Sequence, residues 1–229
     1  MGDVTDRRDN YHHGDLRNAL SDAATELARR GGPDAVVLRE AARRVGVSAT
    51  AAYRHFANHG DLMHAVKRRA LDELAVALRK AMDADEPTGD AGERAVRGLY
   101  TAAHAYIGFA LTETGLFRSA FCRPDADAAD NDLTPSDLAE RPAYNILARQ
   151  MDLLVTTGRM PADRRACADI AAWSTVHGLA TLILDGPLAR LPEPQRAGVI
   201  DRTIDLAVTG LLGPAAAEPA RLFGPITES

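Results

Sequence analysis

Val37-Leu-Arg-Glu-Ala-Ala-Arg-Arg-Val-Gly-Val-Ser-Ala-Thr-Ala-Ala-Tyr-Arg-His-Phe56 is the stretch that decides the fold. Leu38, Ala41, Ala42 and Val45 fall at i, i+3, i+4 and i+7, which predicts a short amphipathic helix over 38–45. Gly46 stops it, because glycine enters the left-handed conformation of a helix end without steric cost. Ala42, four residues earlier, is small where two steeply crossing helices must touch. Val47 fills the corner, and Ser48 carries a hydroxyl that caps the next helix and stands where a phosphate would approach. That next helix is expected over 48–56, with Ala51, Ala52 and Phe56 on its inner face and Ala49, Thr50, Tyr53 and Arg54 outward. A short helix with a small, polar, basic outer face suits a DNA major groove. The spacing therefore favours a helix-turn-helix over an ordinary helical hairpin.

Helical spacing continues on both sides. Leu16, Leu20, Ala23 and Leu27 make one face of a preceding helix, with Asp15 as its expected cap and Gly31-Gly32-Pro33 as its end. Asn58 can cap a fourth helix to about residue 82, with Asp61 completing a box-like arrangement and Leu62, Val66, Leu71, Leu74 and Leu78 inward. The run from Asp83 to Asp90 reads as a loop. Further helices are expected at about 91–111, 115–121, 138–158, 162–185 and 193–212, with an acidic, proline-bearing loop at 122–137. No stretch alternates with period two for long enough to make a strand. The expected fold is all-α: an N-terminal three-helix helix-turn-helix domain, 1–60, and a C-terminal helical ligand-binding and dimerisation domain, 61–229.

Bulk properties agree. Of 229 residues 46% are hydrophobic but only 5% aromatic, with alanine and leucine, both strong helix formers, supplying much of the apolar content. Net charge is −5, unevenly spread: residues 1–80 hold 14 basic against 11 acidic side chains, the remainder 13 against 21. The asymmetry points to an anion-facing N-terminal part. Cys122 and Cys167 are too few for a disulfide framework and lack metal-ligand spacing. The polar N-terminus has no signal-peptide pattern and no apolar run reaches membrane length, so a cytoplasmic protein with no membrane contact is expected. No catalytic signature is present, neither a nucleophile elbow, a phosphate loop nor a zinc motif, so neither an enzyme nor a bound cofactor or metal is expected.

Val45-Gly46-Val47-Ser48 followed by Ala52-Tyr53-Arg54-His55-Phe56 resembles the signature of the TetR family of transcription regulators. Tyr11-His-His-Gly-Asp-Leu-Arg17 and Trp173-Ser-Thr-Val-His177-Gly178 resemble motifs of one subgroup. The resemblance implies that Thr50 and Ala51, with Ala49 near them, face bases. It implies backbone contacts from Tyr53, His55, Ser48 and Arg39, with Arg54 on the same outer face, and a minor-groove role for an arm bearing Arg7 and Arg8. A half-core Tyr53, a surface-cap His55 and a plain tail at Arg7 and Arg8 are the competing readings. Two positions depart from the family pattern. Val37 stands where a capping Ser or Thr is usual, and His59 where a Lys is usual, which weakens the charge available for phosphate.

In the C-terminal half, 165–185 is apolar nearly all round, and 199–212 carries Ile200, Ile204, Ala207 and Leu211 at helical spacing. Two such helices pair with a partner's two as a four-helix homodimer interface, the arrangement the resemblance also implies; a charge at Ile204 is expected to dissociate or unfold it. Tyr100, His104, Tyr106, Phe109, Tyr144, Met151, Trp173 and His177 are the candidate liners of a pocket for a small apolar or aromatic effector. For each, ordinary core packing is the stronger reading from sequence alone, and the Gly178 after His177 suggests close helix packing. The expected function is a ligand-responsive repressor, homodimeric on a pseudo-palindromic duplex, with helix four as the lever between reader and pocket. The alternative is a dimeric DNA-binding regulator with no small-molecule effector, or with a protein partner.

Overall fold

The computed structural model describes residues 5–85, 88–122 and 141–212, with side chains from residue 16 onward. All regular structure among them is helical. The elements are α1 (Thr5–Gly31), a 3₁₀ turn (Pro33–Ala35), α2 (Leu38–Val45), α3 (Ala49–Tyr53), α4 (His59–Asp83) and α5 (Ala91–Thr112). They continue with α6 (Thr114–Phe121), α7 (Pro142–Thr156), a second 3₁₀ turn (Ala162–Arg164), α8 (Ala168–Leu184) and α9 (Glu193–Leu212).

Helix ends follow the local chemistry. Gly46 ends α2 at φ 79°, and the Val47 N–H reaches the Ala42 carbonyl at 3.0 Å. Ser48 caps α3, its hydroxyl accepting from the Ala51 N–H at 3.2 Å. Asn58 caps α4 by accepting from the Asp61 N–H at 2.8 Å, and the Asp61 carboxylate accepts from the Ala57 N–H at 3.1 Å. α5 opens on a reciprocal box that periodicity alone did not reveal: Glu93 N–H to Asp90 Oδ1 at 2.8 Å, Asp90 N–H to Glu93 Oε2 at 3.0 Å.

Three boundaries differ from expectation. Asp15 lies inside α1 rather than at its cap; the polar stretch before it has no apolar period to reveal a helix, yet only Gly14 opposes one, at a cost of about 1 kcal/mol. α3 ends at Tyr53, and Arg54 and His55 form a tighter turn, with the His55 N–H on the Ala52 carbonyl at 2.9 Å. The segment 162–185 is not one helix. Cys167 stands at φ 59° between the 3₁₀ turn and α8, and Arg165 is held beside it by Asp152 at 2.7 Å and Asp169 at 3.2 Å. The acidic stretch expected to be a loop lies, after Cys122, outside the described residues.

One continuous core runs from the N-terminal helices into the C-terminal bundle. Leu20, Ala24 and Ala28 of α1 meet Phe56, Leu62, Val66 and Ala70, and α4 continues through Leu74 and Leu78 beneath α5 and α6. The joint between the two halves is close. A Cβ on Gly115, at the start of α6, would stand 2.2 Å from the Ala28 carbonyl oxygen and 2.4 Å from that of Arg29, so only glycine lets α6 sit on the end of α1. Arg29 fastens the same joint: it donates to both oxygens of Glu73 on α4, at 2.9 and 2.7 Å, and to Glu113 between α5 and α6. These groups are about a third exposed, so solvent screening leaves the cluster more a positioner than a source of stability.

Candidate functional site

α2 and α3 present one continuous surface. Ser48, Thr50, Tyr53 and Arg54 are exposed, and Ala49, Ala51 and His55 half-exposed, while Ala52 and Phe56 are buried beneath them. Tyr53 is 46% exposed, so its ring stands on the surface and is not part of the core. Arg39 is exposed on α2. Arg43 and Arg44 are turned back onto Glu40, whose carboxyl they hold down at about 2, so Arg39 and Arg54 are the guanidinium groups of this face without such a local carboxylate. Val37 precedes α2 with no side-chain cap, as its chemistry requires. His59 does not point away from the protein: its Nε2 meets the Val36 carbonyl at 3.0 Å, tying the start of α4 to the entry of α2.

Arg17 completes this unit and was missed from sequence. Its guanidinium lies 4.4 Å from the centre of the Phe56 ring and donates to the His55 carbonyl, at the C-terminal end of the α3 turn, where a cation is favoured. The signal was its place one residue after Leu16 in the first helix, which reads only as a solvated face. The side chains of Arg7 and Arg8 lie outside the described ones; the backbone there belongs to α1.

The C-terminal half encloses a cavity of about 210 Å³ among α4, α5, α7, α8 and α9. Its wall is made largely of leucine, isoleucine, valine and alanine, with Tyr106, Tyr144, Trp173 and Phe121 as its aromatic members. The Trp173 indole N–H donates to the Tyr106 oxygen at 3.1 Å, so the Tyr106 hydroxyl proton is directed to His177 Nδ1, 2.9 Å away. Burial raises the Tyr106 phenol well above the usual range and lowers His177, so both are neutral near pH 7 and the chain of hydrogen bonds is closed. Burial, and then the Asp169 carboxylate, lift Tyr144 to about 12.

Comparison with known proteins places this architecture. Residues 20–66 match the family model of bacterial regulatory proteins of the tetR family, and residues 99–207 match that of the tetracyclin repressor-like C-terminal domain. The chain belongs to the TetR family. A protein of unknown function from Rhodococcus sp. RHA1 shares the fold at TM-score 0.66 and 26% identity, over 89% of this chain and 98% of that one. A bacterial regulatory protein in the tetR family from Rhodococcus RHA1 follows at TM-score 0.52, 20% identity, 87% and 97%. A TetR variant from Acinetobacter baumannii AYE, in complex with minocycline, matches at TM-score 0.53, 18% identity, 84% and 94%. No curated protein sequence is significantly similar. The family makes α2–α3 a DNA-binding helix-turn-helix and the chain a transcription regulator. Among the described residues no helix is long and apolar enough to cross a membrane.

Against this TetR frame the candidate liners divide. Tyr106, Tyr144 and Trp173 wall the cavity. Met151 and Phe109 are core, and His177 stands behind Tyr106, 4.7 Å from the Phe121 ring centre. Tyr100 and His104 lie elsewhere, on the α5 face that meets α9: Tyr100 donates to Asp205 at 3.1 Å, and His104 joins Asp201 at 3.0 Å. They were misplaced because the polar face of α5 packs on another helix, which periodicity cannot distinguish from a face toward a ligand. The leucines of α4 were missed as liners, since Leu71, Leu74 and Leu78 read simply as core, and so were Lys67 and Arg141.

The outer faces of α8 and α9 also need correction. Ile204 is fully buried and walls the cavity together with Ala207, Val208 and Leu211. The apolar face left open runs instead through Ile170, Gly178 and Leu182 of α8 and Leu206 of α9, which is 57% exposed. Nothing within the chain comes within 4 Å of a Cβ placed on Gly178, so the close packing inferred for it is absent inside one chain.

Proposed function

We propose that this TetR-family protein is a ligand-responsive repressor that acts as a homodimer on a pseudo-palindromic operator. The observation that carries the proposal is the path of α4. Its first residue is hydrogen-bonded to the entry of α2, its first turn is capped one turn after the reader, and Lys67, Leu71, Leu74 and Leu78 of the same helix wall the cavity. From His59 to Lys67 is about 12 Å along a helix axis, so a rigid element connects reader and pocket over a short distance. A ligand that fits one attitude of α4 better than another shifts the spread of two readers. A coupling of about 1–3 kcal/mol changes operator affinity roughly 5–150-fold.

Within this reading Thr50 and Ala51 face bases, with Ala49 beside them. Ser48, Tyr53, Arg54, His55 and Arg39 contact the backbone, and His59 acts mainly by positioning α4. The division between reader and effector part falls at the start of α4, 1–60 and 61–229. The open face of α8 and α9 supports dimerisation through a four-helix contact burying more than about 1,000 Å². The protein works by binding and not by catalysis, in the cytoplasm where its DNA is. A gel-shift panel with the DNA upstream of its own gene is the test. One dimer retained per site, released by a compound that enters the cavity, is expected. Failure to retain any duplex at low salt would overturn the proposal.

A further inference from the structure

The cavity wall has one sign of charge. Among its lining residues the only ionisable side chains other than tyrosine are Lys67 and Arg141, and neither Asp nor Glu is among them. The two cations enter from different elements, Lys67 from the middle of α4 and Arg141 from the residue before α7. Lys67 Nζ donates to the Cys122 carbonyl at 3.2 Å, which orients the ammonium without cancelling its charge. Arg141 is half-buried, and among the described residues no carboxylate is paired with it, whereas the neighbouring Arg165 is held by Asp152 and Asp169. Ala143 and Tyr144, also in the wall, belong to the first turn of α7, where backbone N–H groups have no partner inside the helix and favour negative charge.

The neutral polar groups of the wall are already committed. The Tyr106 hydroxyl is closed between Trp173 and His177, and the Tyr144 hydroxyl is drawn to Asp169. Polar recognition inside an otherwise apolar chamber therefore falls to the two cations. A cationic ligand would find repulsion and no carboxylate, and a neutral one would leave the guanidinium facing apolar surface. A guanidinium matches a carboxylate in a two-pronged, charge-assisted hydrogen bond. The size also limits the ligand: scaled from a 150 Å³ cavity that accepts benzene, 210 Å³ holds about eight heavy atoms.

We infer that the effector class of this cavity is a small apolar monocarboxylate, its carboxylate held by Arg141 with Lys67 beside it and its hydrocarbon body against Trp173, Leu74 and Val176. This rests on the reading of the cavity as the effector site.

Trp173 is the single tryptophan of the chain and part of the wall, so its fluorescence reports occupancy directly. The experiment titrates the full-length protein at pH 7.5 with hexanoate, hexan-1-ol and hexylamine while Trp173 emission is followed. Hexanoate is expected to bind at least about tenfold more tightly than hexan-1-ol, the ratio a hydrogen bond to a charged group supplies, with hexylamine weaker still. Arg141→Gln should reduce hexanoate to the level of the alcohol and leave alcohol binding unchanged, and Lys67→Gln should do part of the same. Both sites are half-exposed, and an unchanged alcohol titration shows that each variant is folded. Equal or tighter binding of the alcohol or amine would overturn the carboxylate class while leaving the cavity a ligand site. No response of Trp173 to any of the three at millimolar concentration would overturn the cavity reading as well.

Discussion

Gly115→Ala puts a methyl group into the joint between the DNA reader and the effector half. The new Cβ would meet the Ala28 and Arg29 carbonyl oxygens at 2.2 and 2.4 Å. These are backbone atoms that cannot rotate away, so α1 and α6 must part by about 1 Å to regain an ordinary contact. Overpacking of this kind costs about 1–3 kcal/mol, and a rigid backbone obstacle places it near the upper end. Alanine returns about 0.5–1 kcal/mol by its better helix propensity, which leaves a net loss near 2 kcal/mol. For a chain of this size each kcal/mol moves Tm by about 2–4 °C, so a fall of about 4–8 °C is expected. Gly108→Ala is the matched control, because in α5 nothing lies within 4 Å of its Cβ; it should raise Tm by about 1–4 °C. Both are measured by thermal circular dichroism at equal protein concentration, since dimerisation makes Tm concentration-dependent. If Gly115→Ala melts at or above the parent while Gly108→Ala behaves as expected, the close approach of α6 to α1 is wrong, and with it the rigid joint on which the lever depends.

Other perturbations read other parts of the molecule. Tyr53→Ala should weaken binding to every duplex and reduce the salt slope by about one, whereas Thr50→Ala should change which sequence is preferred; a selection experiment in which both variants shift the consensus alike would refute the division. Ser48→Ala removes the cap of α3 and should cost about 1 kcal/mol in a urea titration; an unchanged midpoint would show that the cap carries no stability. Leu206→Glu should give a monomeric mass in sedimentation with helicity retained, while Ile204→Glu should lose helicity, because Ile204 is an interior wall residue; a folded Ile204→Glu monomer would reverse that assignment. His177 has its pKa lowered by burial, so the folded state binds fewer protons than the unfolded one: its contribution is complete above the unfolded pKa of about 6.5 and is lost as pH falls toward the lower folded value. Urea midpoints should therefore decline between about pH 7 and 5, and His177→Gln should flatten that part of the profile; an identical decline in the variant would remove His177 from the account.

The helix-turn-helix was legible residue by residue because its determinants are local. A left-handed glycine, a capping hydroxyl and an apolar stripe of period 3.6 act within a few residues, and Gly46, Ser48 and Ala52 each do in the structure what their chemistry dictates. The same holds for the Asn58 cap and for the order of the helices. What local chemistry could not reveal was which neighbour covers each apolar or polar face. Ile204 and Leu206 are both apolar, two residues apart, and helical spacing cannot say which looks into the bundle and which is left open. Tyr100 and Tyr106 are both aromatic on α5, yet one meets Asp205 and the other walls the cavity, because the choice depends on where α8 and α9 arrive. The sequence by itself determined the fold class, the reader and the family. Only the packing of elements distant in sequence decided that Lys67 and Arg141 share one cavity, that Arg17 supports Phe56 and that Gly115 rests on the end of α1, since each is a contact between groups the chain order keeps far apart.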